Sequence, residues 1–225
     1  MDKRTALLYA NLKPYKALVN KTSGFIRWAL ERVENPYIAC SFGKDSSVML
    51  HLVLQHKPDI QVKFLTKKET YLIDDYEGVV NWWREKYNAK IEVIQYLGWL
   101  EGGTKTGIAK NMQANGFDAY FVGIRQDESV ARRITIKKLG MFYKMADGKT
   151  RITPMSDWTT KEVGVYMLTN DLPILNAYQR EGFEARTTSN IPSKYPHETI
   201  QRLKDSNISA YNELFDILPN AKMFR

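Results

Sequence analysis

The chain has 225 residues, of which 44% are hydrophobic and 26% charged. This composition is that of a folded globular domain, so it excludes a disordered chain. Cys40 is the one cysteine, which excludes an intrachain disulfide and a cysteine-ligated iron–sulfur cluster held by one chain. Three histidines without metal-type spacing argue against a structural zinc site.

The net charge is +8, which favours polyanionic ligands: nucleotides, pyrophosphate or nucleic acid. The sequence contains no long block of lysine and arginine, so its charge does not by itself establish nucleic-acid binding. No apolar run approaches the roughly 20 residues that cross a bilayer. The first residues lead into an amphipathic segment instead of a signal-peptide core, and we therefore expect a cytoplasmic protein without a membrane partner.

In chain order, the hydrophobic pattern predicts alternating helices and strands. A helix over 16–33 precedes a buried strand at 37–40, a turn at 41–46 and a helix at 47–56. Next come a strand at 61–65, a helix at 74–87, a strand at 90–95, a glycine-containing loop at 98–107, a helix near 106–114, a strand at 119–123 and a polar helix from about Asp127. Strands at 141–145 and 151–155 flank Asp147-Gly148 as a hairpin, a helix follows at 159–169, and two more follow Pro196 and Asn207.

This alternation predicts an α/β fold: an open, mainly parallel, five-stranded twisted sheet with helices on both faces and a helical C-terminal extension. We expect residues 1–180 to form the main domain with its N-terminal helix. Residues 181–225 are expected to be the helical extension of the same domain.

The turn at 41–46 carries the chemistry that best suits a phosphate. It joins a buried strand to a helix, and in an open parallel sheet such a junction lies at the carboxyl edge, where ligands bind. The first helical turn offers unpaired N–H groups to an anion. Gly43 allows close approach of the backbone, Lys44 adds charge, and the serine hydroxyls can donate hydrogen bonds. We call this segment the phosphate loop: Ser41-Phe42-Gly43-Lys44-Asp45-Ser46.

An ordinary strand-to-helix turn is the alternative, with its serine and aspartate acting only as helix caps. The loop also lacks the G-x-x-x-x-G-K-[ST] spacing of a Walker loop.

The pattern Ser41-x-Gly43-x-Asp45-Ser46 after a buried strand resembles the PP-loop of the adenine nucleotide alpha-hydrolase-like superfamily. More narrowly, the chain resembles the phosphoadenosine phosphosulfate (PAPS) reductase family, which includes the small subunit of ATP sulfurylase. Two downstream segments carry the narrower resemblance. They are 123–129 (GIRQDES) followed by Arg132, and 151–159 (RITPMSDWT) with Val163, Tyr166, Pro173 and Tyr178.

The resemblance implies a site for ATP or PAPS with Mg²⁺. The implied nucleotide-binding residues are Ser41, Phe42, Gly43, Lys44, Asp45, Ser46, Thr66, Gly123 and Arg125. Lys44, Asp45, Arg125 and Arg132 are the candidate catalytic residues, and Asp45 is the candidate magnesium ligand. Thr66 follows the second strand, in the region that lies near the adenine base in relatives.

Arginine suits phosphate or sulfate because its planar fork donates two parallel hydrogen bonds. The alternative for Arg132 is an i,i+4 ion pair with Glu128 on a solvated helix face. For Arg133 we favour the solvated face. Asp157 or Thr159 can cap the following helix, with Trp158 packed against the sheet. The histidines on the first crossover helix, His51 and His56, are expected to be partly exposed.

One departure from the family pattern limits the activity. The stretch 186–192 (RTTSNIP) stands near where many family members have a cysteine. Cys40 ends the first strand and is expected to be buried and unreactive. We therefore do not expect a self-sufficient thiol-dependent PAPS reductase.

The favoured activity is adenylyl transfer from ATP with release of pyrophosphate, and sulfate is one suitable acceptor. A non-catalytic nucleotide sensor or partner subunit and an ATP-dependent nucleic-acid-modifying enzyme are the alternatives. Association with a partner subunit or a second copy stays open.

Overall fold

The computed structural model describes residues 1–67, 71, 76–96, 114–184, 196–206, 208–217 and 222. Within these ranges the strands are β1 (Pro36–Ala39), β2 (Gln61–Lys67), β3 (Lys90–Tyr96), β4 (Ala119–Val122), β5 (Phe142–Lys144) and β6 (Thr150–Ile152). The helices are α1 (Lys3–Ala10), α2 (Lys13–Leu30), α3 (Lys44–Leu54), α4 (Tyr76–Tyr87), α5 (Val130–Leu139), α6 (Thr160–Thr169), α7 (Asn176–Glu181), α8 (Pro196–Ser206) and α9 (Ile208–Ile217), with a 3-10 turn at Gln126–Glu128.

The strands form one sheet in the order β3-β2-β1-β4-β6-β5, parallel except for β5. This topology confirms the α/β class and the mainly parallel sheet. The predicted count of five strands was one too low among the described residues. Both arms of the hairpin join the sheet, because β5 pairs antiparallel with β6 beyond the last parallel strand.

The core lies along one face of the sheet. Ile38 stands opposite both Val62 and Phe121, and Phe121 stands opposite Ile152, so four strands contribute one lateral row. Each of these side chains is fully buried. Burial of one such side chain stabilises the fold by roughly 1.5–3 kcal/mol.

Helix α3 joins β1 to β2 and is buried on nearly all sides. Val48, Met49, Leu50 and Val53 have no exposed surface, so neighbouring elements cover the helix on more than one side. A helix enclosed in this way holds its own N-terminus in a fixed place relative to the sheet.

Several element boundaries differ from the sequence-based expectation. Helix α3 begins at Lys44, three residues before the predicted start, so the second half of the phosphate loop is already helical. The predicted polar helix from Asp127 is divided into a 3-10 turn and α5. Ser129 separates them with an extended backbone at φ −164°, and its side chain accepts a hydrogen bond from the N–H of Arg132.

The remaining predictions have mixed outcomes. Helices α8 and α9 are present where the C-terminal extension was expected, whereas α1 and α7 were not predicted. The expected loop at 98–107 lies outside the described residues, as does nearly all of the expected helix near 106–114. The division near residue 180 stays a prediction. In the part of the chain that the structure describes, no helix combines the length and apolar character that crossing a bilayer requires.

Candidate nucleotide-binding site

The phosphate loop turns sharply between β1 and α3. Phe42 has a positive φ of 52°, a left-handed conformation that raises the free energy of a non-glycine residue by about 1–2 kcal/mol. Its ring is buried and meets the ring of Phe64 edge-on, with the centroids 5.1 Å apart. The Phe42 N–H donates to Cys40 Sγ at 3.4 Å. Aromatic packing on β2 therefore holds the unusual backbone of this turn in place.

The N-terminus of α3 presents backbone donors at the carboxyl end of β1. Gly43 is the N-cap and provides no side chain to cap the helix. The N–H of Lys44 donates to the Tyr178 hydroxyl at 3.5 Å. Among the described residues none accepts a hydrogen bond from the N–H groups of Asp45 and Ser46. Such first-turn amides are the donors that bind anions at helix N-termini.

The two serines of the loop contact each other. Ser41 Oγ lies 3.1 Å from Ser46 Oγ, and Ser46 Oγ donates to the carbonyl oxygen of Gly43 at 3.0 Å. Ser41 is exposed, whereas Ser46 is buried. The exposed hydroxyl of Ser41 is therefore available to a ligand, and that of Ser46 also stabilises the turn.

A buried ion-pair cluster connects the loop to the end of β4. Arg125 is 3% exposed, and its Nε lies 2.6 Å from Asp45 Oδ1. The same guanidinium donates to Asp127 Oδ2 at 2.7 Å and to Thr160 Oγ1 at 3.1 Å. Burial raises the pKa of the Asp45 carboxyl, while Arg125 and Lys44 oppose that shift. These contacts hold Arg125 against Asp45, and a direct contact between Arg125 and a ligand stays a prediction.

The described residues do not fit a resident magnesium site. The Asp45 carboxylate contacts Arg125 through Oδ1 and lies 3.7 Å from Lys44 Nζ through Oδ2. In the described ranges no group of three or more His, Cys, Asp or Glu side chains could hold a metal ion. A site with one carboxylate that is already paired with two cations is a poor cage for a hard divalent ion.

In the segment after Arg125, the structure contains the i,i+4 ion pair that the sequence offered as the alternative to a ligand role for Arg132. Arg132 pairs with Glu128, and the Arg132 side chain is 42% exposed. Glu128 also accepts from the N–H of Arg125 at 3.0 Å. Arg133 lies on the exposed surface of α5, as expected. A ligand role for Arg132 stays a prediction. The Arg132 side chain is exposed enough to contact a ligand.

Gly123 lies directly against the phosphate loop. A Cβ atom at this position would stand 2.8 Å from the backbone nitrogen of Ser46. Thr66, the next candidate, is buried near the end of β2. Two residues earlier Phe64 contacts Phe42, so Thr66 lies at the same edge of the sheet as the loop. The structure therefore brings Gly123 and Arg125 against the loop and places Thr66 on the neighbouring strand.

Cys40 is buried, as the sequence predicted. It is 2% exposed, and burial raises the pKa of its thiol to about 12. A thiol with this pKa carries almost no thiolate near neutral pH, and the thiolate is the reactive form.

Thr159 is the N-cap of α6 and forms a capping box with Glu162. Trp158 is buried, and its Nε1 donates to Thr22 Oγ1 at 2.8 Å.

The expected exposure of His51 was wrong, whereas His56 is half-buried. His51 is 7% exposed because α4 and α6 cover that side of α3. Its Nδ1 lies 2.9 Å from the Tyr166 hydroxyl and its Nε2 lies 2.9 Å from the Tyr87 hydroxyl. Burial lowers the pKa of the imidazole. This side-chain network was not visible in the sequence.

Sequence reasoning gave no site role to three residues that contact the candidate site. Asp127 and Thr160 hold the Arg125 guanidinium, and Tyr178 contacts Lys44. The Arg-x-Asp spacing at 125–127 was a usable signal for the first. Thr160 lies far from its partner in the sequence, and nothing local identifies it. Tyr178 entered only as part of the family pattern, and its contact with Lys44 had no local signal.

Comparison with known proteins places these features in a family. The sequence model of the phosphoadenosine phosphosulfate reductase domain matches residues 35–187. A phosphoadenosine 5'-phosphosulfate reductase of Vibrio campbellii is 31% identical over 166 residues, which are 63% of this chain and 61% of that protein. One of Xylella fastidiosa is 28% identical over 171 residues, covering 65% of this chain and 68% of that protein.

Two solved structures share the fold. A phosphoadenylyl-sulfate reductase from Candida auris, in a phosphate complex, has a TM-score of 0.50 and 18% identity over 71% of this chain and 85% of that one. A Candida glabrata FMN adenylyltransferase in complex with ATP has a TM-score of 0.57 and 15% identity over 76% of this chain and 63% of that one. At these identities the likeness shows the fold alone. Because the matched residues 35–187 contain the phosphate loop, Gly123 and Arg125 and make up more than half of the chain, the protein belongs to the phosphoadenosine phosphosulfate reductase domain family.

Proposed function

We propose that the protein binds an adenine nucleotide with its phosphates at the N-terminus of α3 and transfers the adenylyl group of ATP, releasing pyrophosphate. The observation that carries the proposal is the cluster of donors at this helix end. The N–H groups of Asp45 and Ser46 lack an acceptor among the described residues, and the charged side chain of Lys44 lies beside them. Backbone donors and a cation together are the usual means of binding phosphates at a helix N-terminus.

The reaction needs charge compensation more than a protein nucleophile. An acceptor oxyanion, for which sulfate is a suitable small example, attacks the α-phosphorus. The bond from that phosphorus to the oxygen bridging to the β-phosphorus breaks, and its electron pair leaves with pyrophosphate. Lys44, the first-turn amides and the Ser41 hydroxyl would hold the leaving pyrophosphate, and Arg132 would contact the acceptor. Such fixed donors favour the charge that develops in the transition state.

Two residues have narrower roles in this proposal. Arg125 positions Asp45, because its guanidinium is engaged by Asp45, Asp127 and Thr160. Mg²⁺ would enter bound to the nucleotide phosphates, which is how this ion commonly reaches ATP sites. Asp45 would then act on the phosphate region through its charge, in place of the direct magnesium coordination implied by the resemblance.

The state of Cys40 supports adenylyl transfer over self-sufficient reduction. The two relatives named above are called reductases, and this chain spans 61% of the length of the Vibrio campbellii protein. Thiol-dependent reduction needs a thiolate that attacks the sulfur, whereas Cys40 is 2% exposed and its pKa is raised to about 12. If the nucleotide is PAPS, the reactive thiol has to come from outside these 225 residues.

A nucleic-acid-modifying enzyme is the second candidate, and α5 is the observation that favours it. Every residue of α5 except Ile136 is exposed, and the helix carries four cationic side chains: Arg132, Arg133, Lys137 and Lys138. The helix begins at Val130, two residues after the end of the 3-10 turn that contains Asp127, a partner of Arg125. Affinity for RNA or DNA that falls steeply with salt, and that depends on these four residues, would support this candidate.

Calorimetry with ATP, PAPS and AMP, each with and without Mg²⁺ and sulfate, tests the proposal. We expect ATP to bind with Mg²⁺, and we expect Lys44→Ala to weaken that binding. Lys57→Ala is the matched control, because Lys57 pairs with Asp59 beyond the other end of α3. Tight binding of PAPS alone would rule out adenylyl transfer. A pyrophosphate-release assay then separates an enzyme from a non-catalytic sensor, which would bind ATP without turnover.

A further inference from the structure

Tyr178 of α7 makes two contacts with the first residue of α3. Its hydroxyl accepts a hydrogen bond from the backbone N–H of Lys44 at 3.5 Å. Its ring lies under the same residue's ammonium, with Nζ 5.2 Å from the ring centroid. One tyrosine therefore contacts both the backbone donor and the side-chain cation of Lys44.

Packing against α6 fixes the position of Tyr178. The tyrosine is 6% exposed, and its ring stacks on Phe183 with the centroids 6.4 Å apart. Phe183 in turn lies over Gly164 of α6, where an added Cβ atom would stand 2.9 Å from the Phe183 ring. The absence of a side chain at Gly164 thus lets Phe183 seat closely on α6, and Phe183 supports the ring that contacts Lys44.

These contacts involve the same groups that phosphate binding would use. The first amides of a helix donate to phosphate oxygens, and the hydroxyl oxygen of Tyr178 is an acceptor in that role. A lysine ammonium over an aromatic face is held by the electrostatics of the ring, whereas the same ammonium would pair with a phosphate. A phosphate oxygen and the Tyr178 hydroxyl cannot both occupy the single acceptor position in front of the Lys44 N–H.

We propose that Tyr178 is a latch that competes with the phosphate chain for Lys44 and is displaced when a nucleotide binds. The inference rests on the proposed function, because it takes the phosphate loop as the site of the phosphates. Hydrogen bonds to an ionised group are roughly twice as strong as those between neutral groups. A phosphate oxygen therefore replaces the neutral Tyr178 hydroxyl as the acceptor of the Lys44 N–H. Loss of that hydrogen bond loosens α7 from the phosphate loop.

Tyr178→Phe separates the hydroxyl from the ring, because it keeps the aromatic face under Lys44 and removes the acceptor. We expect pyrophosphate and ATP to bind this variant about two- to fivefold more tightly than wild type. This change in affinity corresponds to the lower part of the range of free energies that one neutral hydrogen bond contributes. Tyr9→Phe removes the hydroxyl of a tyrosine whose ring packs on Tyr15 of α2, and this control should leave the affinity unchanged. Calorimetry with pyrophosphate measures both. Weaker or unchanged binding to Tyr178→Phe would overturn the latch.

Amide hydrogen exchange without any ligand provides an independent measurement. In Tyr178→Phe the amide of Lys44 should exchange faster than in wild type, because its acceptor is gone. Unchanged exchange would mean that the hydrogen bond between the Lys44 N–H and the Tyr178 hydroxyl does not exist. That result would refute the latch whatever the nucleotide affinities are. If exchange accelerates but neither protein binds pyrophosphate, ATP or PAPS, the contact exists and the proposed function fails. The latch then falls too, because no phosphate competes with it.

Discussion

Gly123 and Ser46 pack backbone to backbone. A Cβ atom at position 123 would lie 2.8 Å from the Ser46 nitrogen and 2.9 Å from its α-carbon. Real Cβ atoms do not approach backbone atoms so closely, so the end of β4 can reach the first turn of α3 only through a glycine. This contact, together with the pair between Arg125 and Asp45, fixes the phosphate loop to the neighbouring strand.

Gly123→Ala should disturb this contact. The atoms that meet the new methyl group are backbone atoms of a buried helix, which cannot rotate aside as a side chain can. We expect the free energy of unfolding to fall by about 1–3 kcal/mol, as for other overpacked sites, and ATP to bind more weakly. Urea unfolding and calorimetry measure the two effects.

Gly24→Ala is the matched control for that substitution. Gly24 lies inside α2, and an added Cβ atom would meet nothing within 4 Å. Alanine is favoured over glycine inside a helix by roughly 0.5–1 kcal/mol, so this variant should be slightly more stable than wild type and bind ATP unchanged. A Gly123→Ala protein with the stability and affinity of wild type would refute the close packing at Ser46.

Removal of Arg125 should destabilise the protein strongly. Arg125→Leu leaves the buried carboxylate of Asp45 without its nearest cation, and loss of one partner of a buried ion pair lowers the free energy of unfolding by about 3–5 kcal/mol. Adding Asp45→Asn to that variant should recover part of the loss, because the carboxylate that Arg125 compensated is then gone. Wild type, Arg125→Leu, Asp45→Asn and the double variant form a double-mutant cycle that chemical unfolding can measure. Equal losses with and without Asp45→Asn would argue against the pair.

Arg132→Leu is the exposed counterpart of Arg125→Leu. The Arg132 side chain is 42% exposed in its pair with Glu128, and exposed ion pairs contribute at most about 1 kcal/mol to stability. We therefore expect near-normal unfolding. If Arg132 contacts the acceptor as proposed, the rate of pyrophosphate release should fall while ATP affinity stays close to that of wild type. A variant with normal turnover would remove Arg132 from the site.

The sequence was sufficient for the fold and for the place of the phosphate loop. Short apolar runs alternate with amphipathic stretches, and such alternation permits few arrangements other than a parallel sheet with right-handed crossovers. The loop's position then followed, because a strand-to-helix turn in this topology lies at the carboxyl edge. The hairpin arm at 141–145 was predicted as a strand, but its place in the sheet as β5 was not, because no local pattern shows whether a hairpin joins a neighbouring sheet.

Contacts between distant residues were beyond the sequence. Lys44 and Tyr178 are 134 positions apart, and His51 and Tyr166 are 115 positions apart. His51 was expected to be partly exposed because it lies on the first crossover helix, away from the N-terminus of that helix. The fold covers the helix on further sides, and a side chain that one helix alone would leave exposed becomes buried. Which groups then pair depends on packing between elements, which no local pattern encodes.

Cys40 should be inert in the folded protein. Cys40 is 2% exposed, so a thiol reagent in solution cannot reach its sulfur. Burial also raises the pKa of the thiol to about 12, so almost none of the reactive thiolate is present. We expect no reaction with Ellman's reagent on the timescale of the assay in buffer and one thiol per chain after unfolding in guanidinium. Rapid titration of Cys40 in the native protein would reopen the case for thiol chemistry in this chain.

The network around His51 should make stability depend on pH. Burial lowers the pKa of His51 below its usual value of 6.5. Between the lowered pKa and 6.5 the unfolded chain therefore binds more protons than the folded one, and the free energy of unfolding falls as the pH falls through that window. His51→Gln can still bond one of the two tyrosine hydroxyls but cannot be protonated. It should lower stability near neutral pH and flatten the dependence below pH 6.5.

His56→Gln is the comparison that makes the test specific, because His56 is half-buried and its ring contacts Ser23 at 2.8 Å. That variant should keep the slope of stability against pH that wild type shows below 6.5, since the responsible imidazole is still present. Unfolding curves at a series of pH values give the slopes for all three proteins. If His51→Gln kept the wild-type slope and His56→Gln lost it, the neutral, buried imidazole between Tyr87 and Tyr166 would not be the source of the pH dependence.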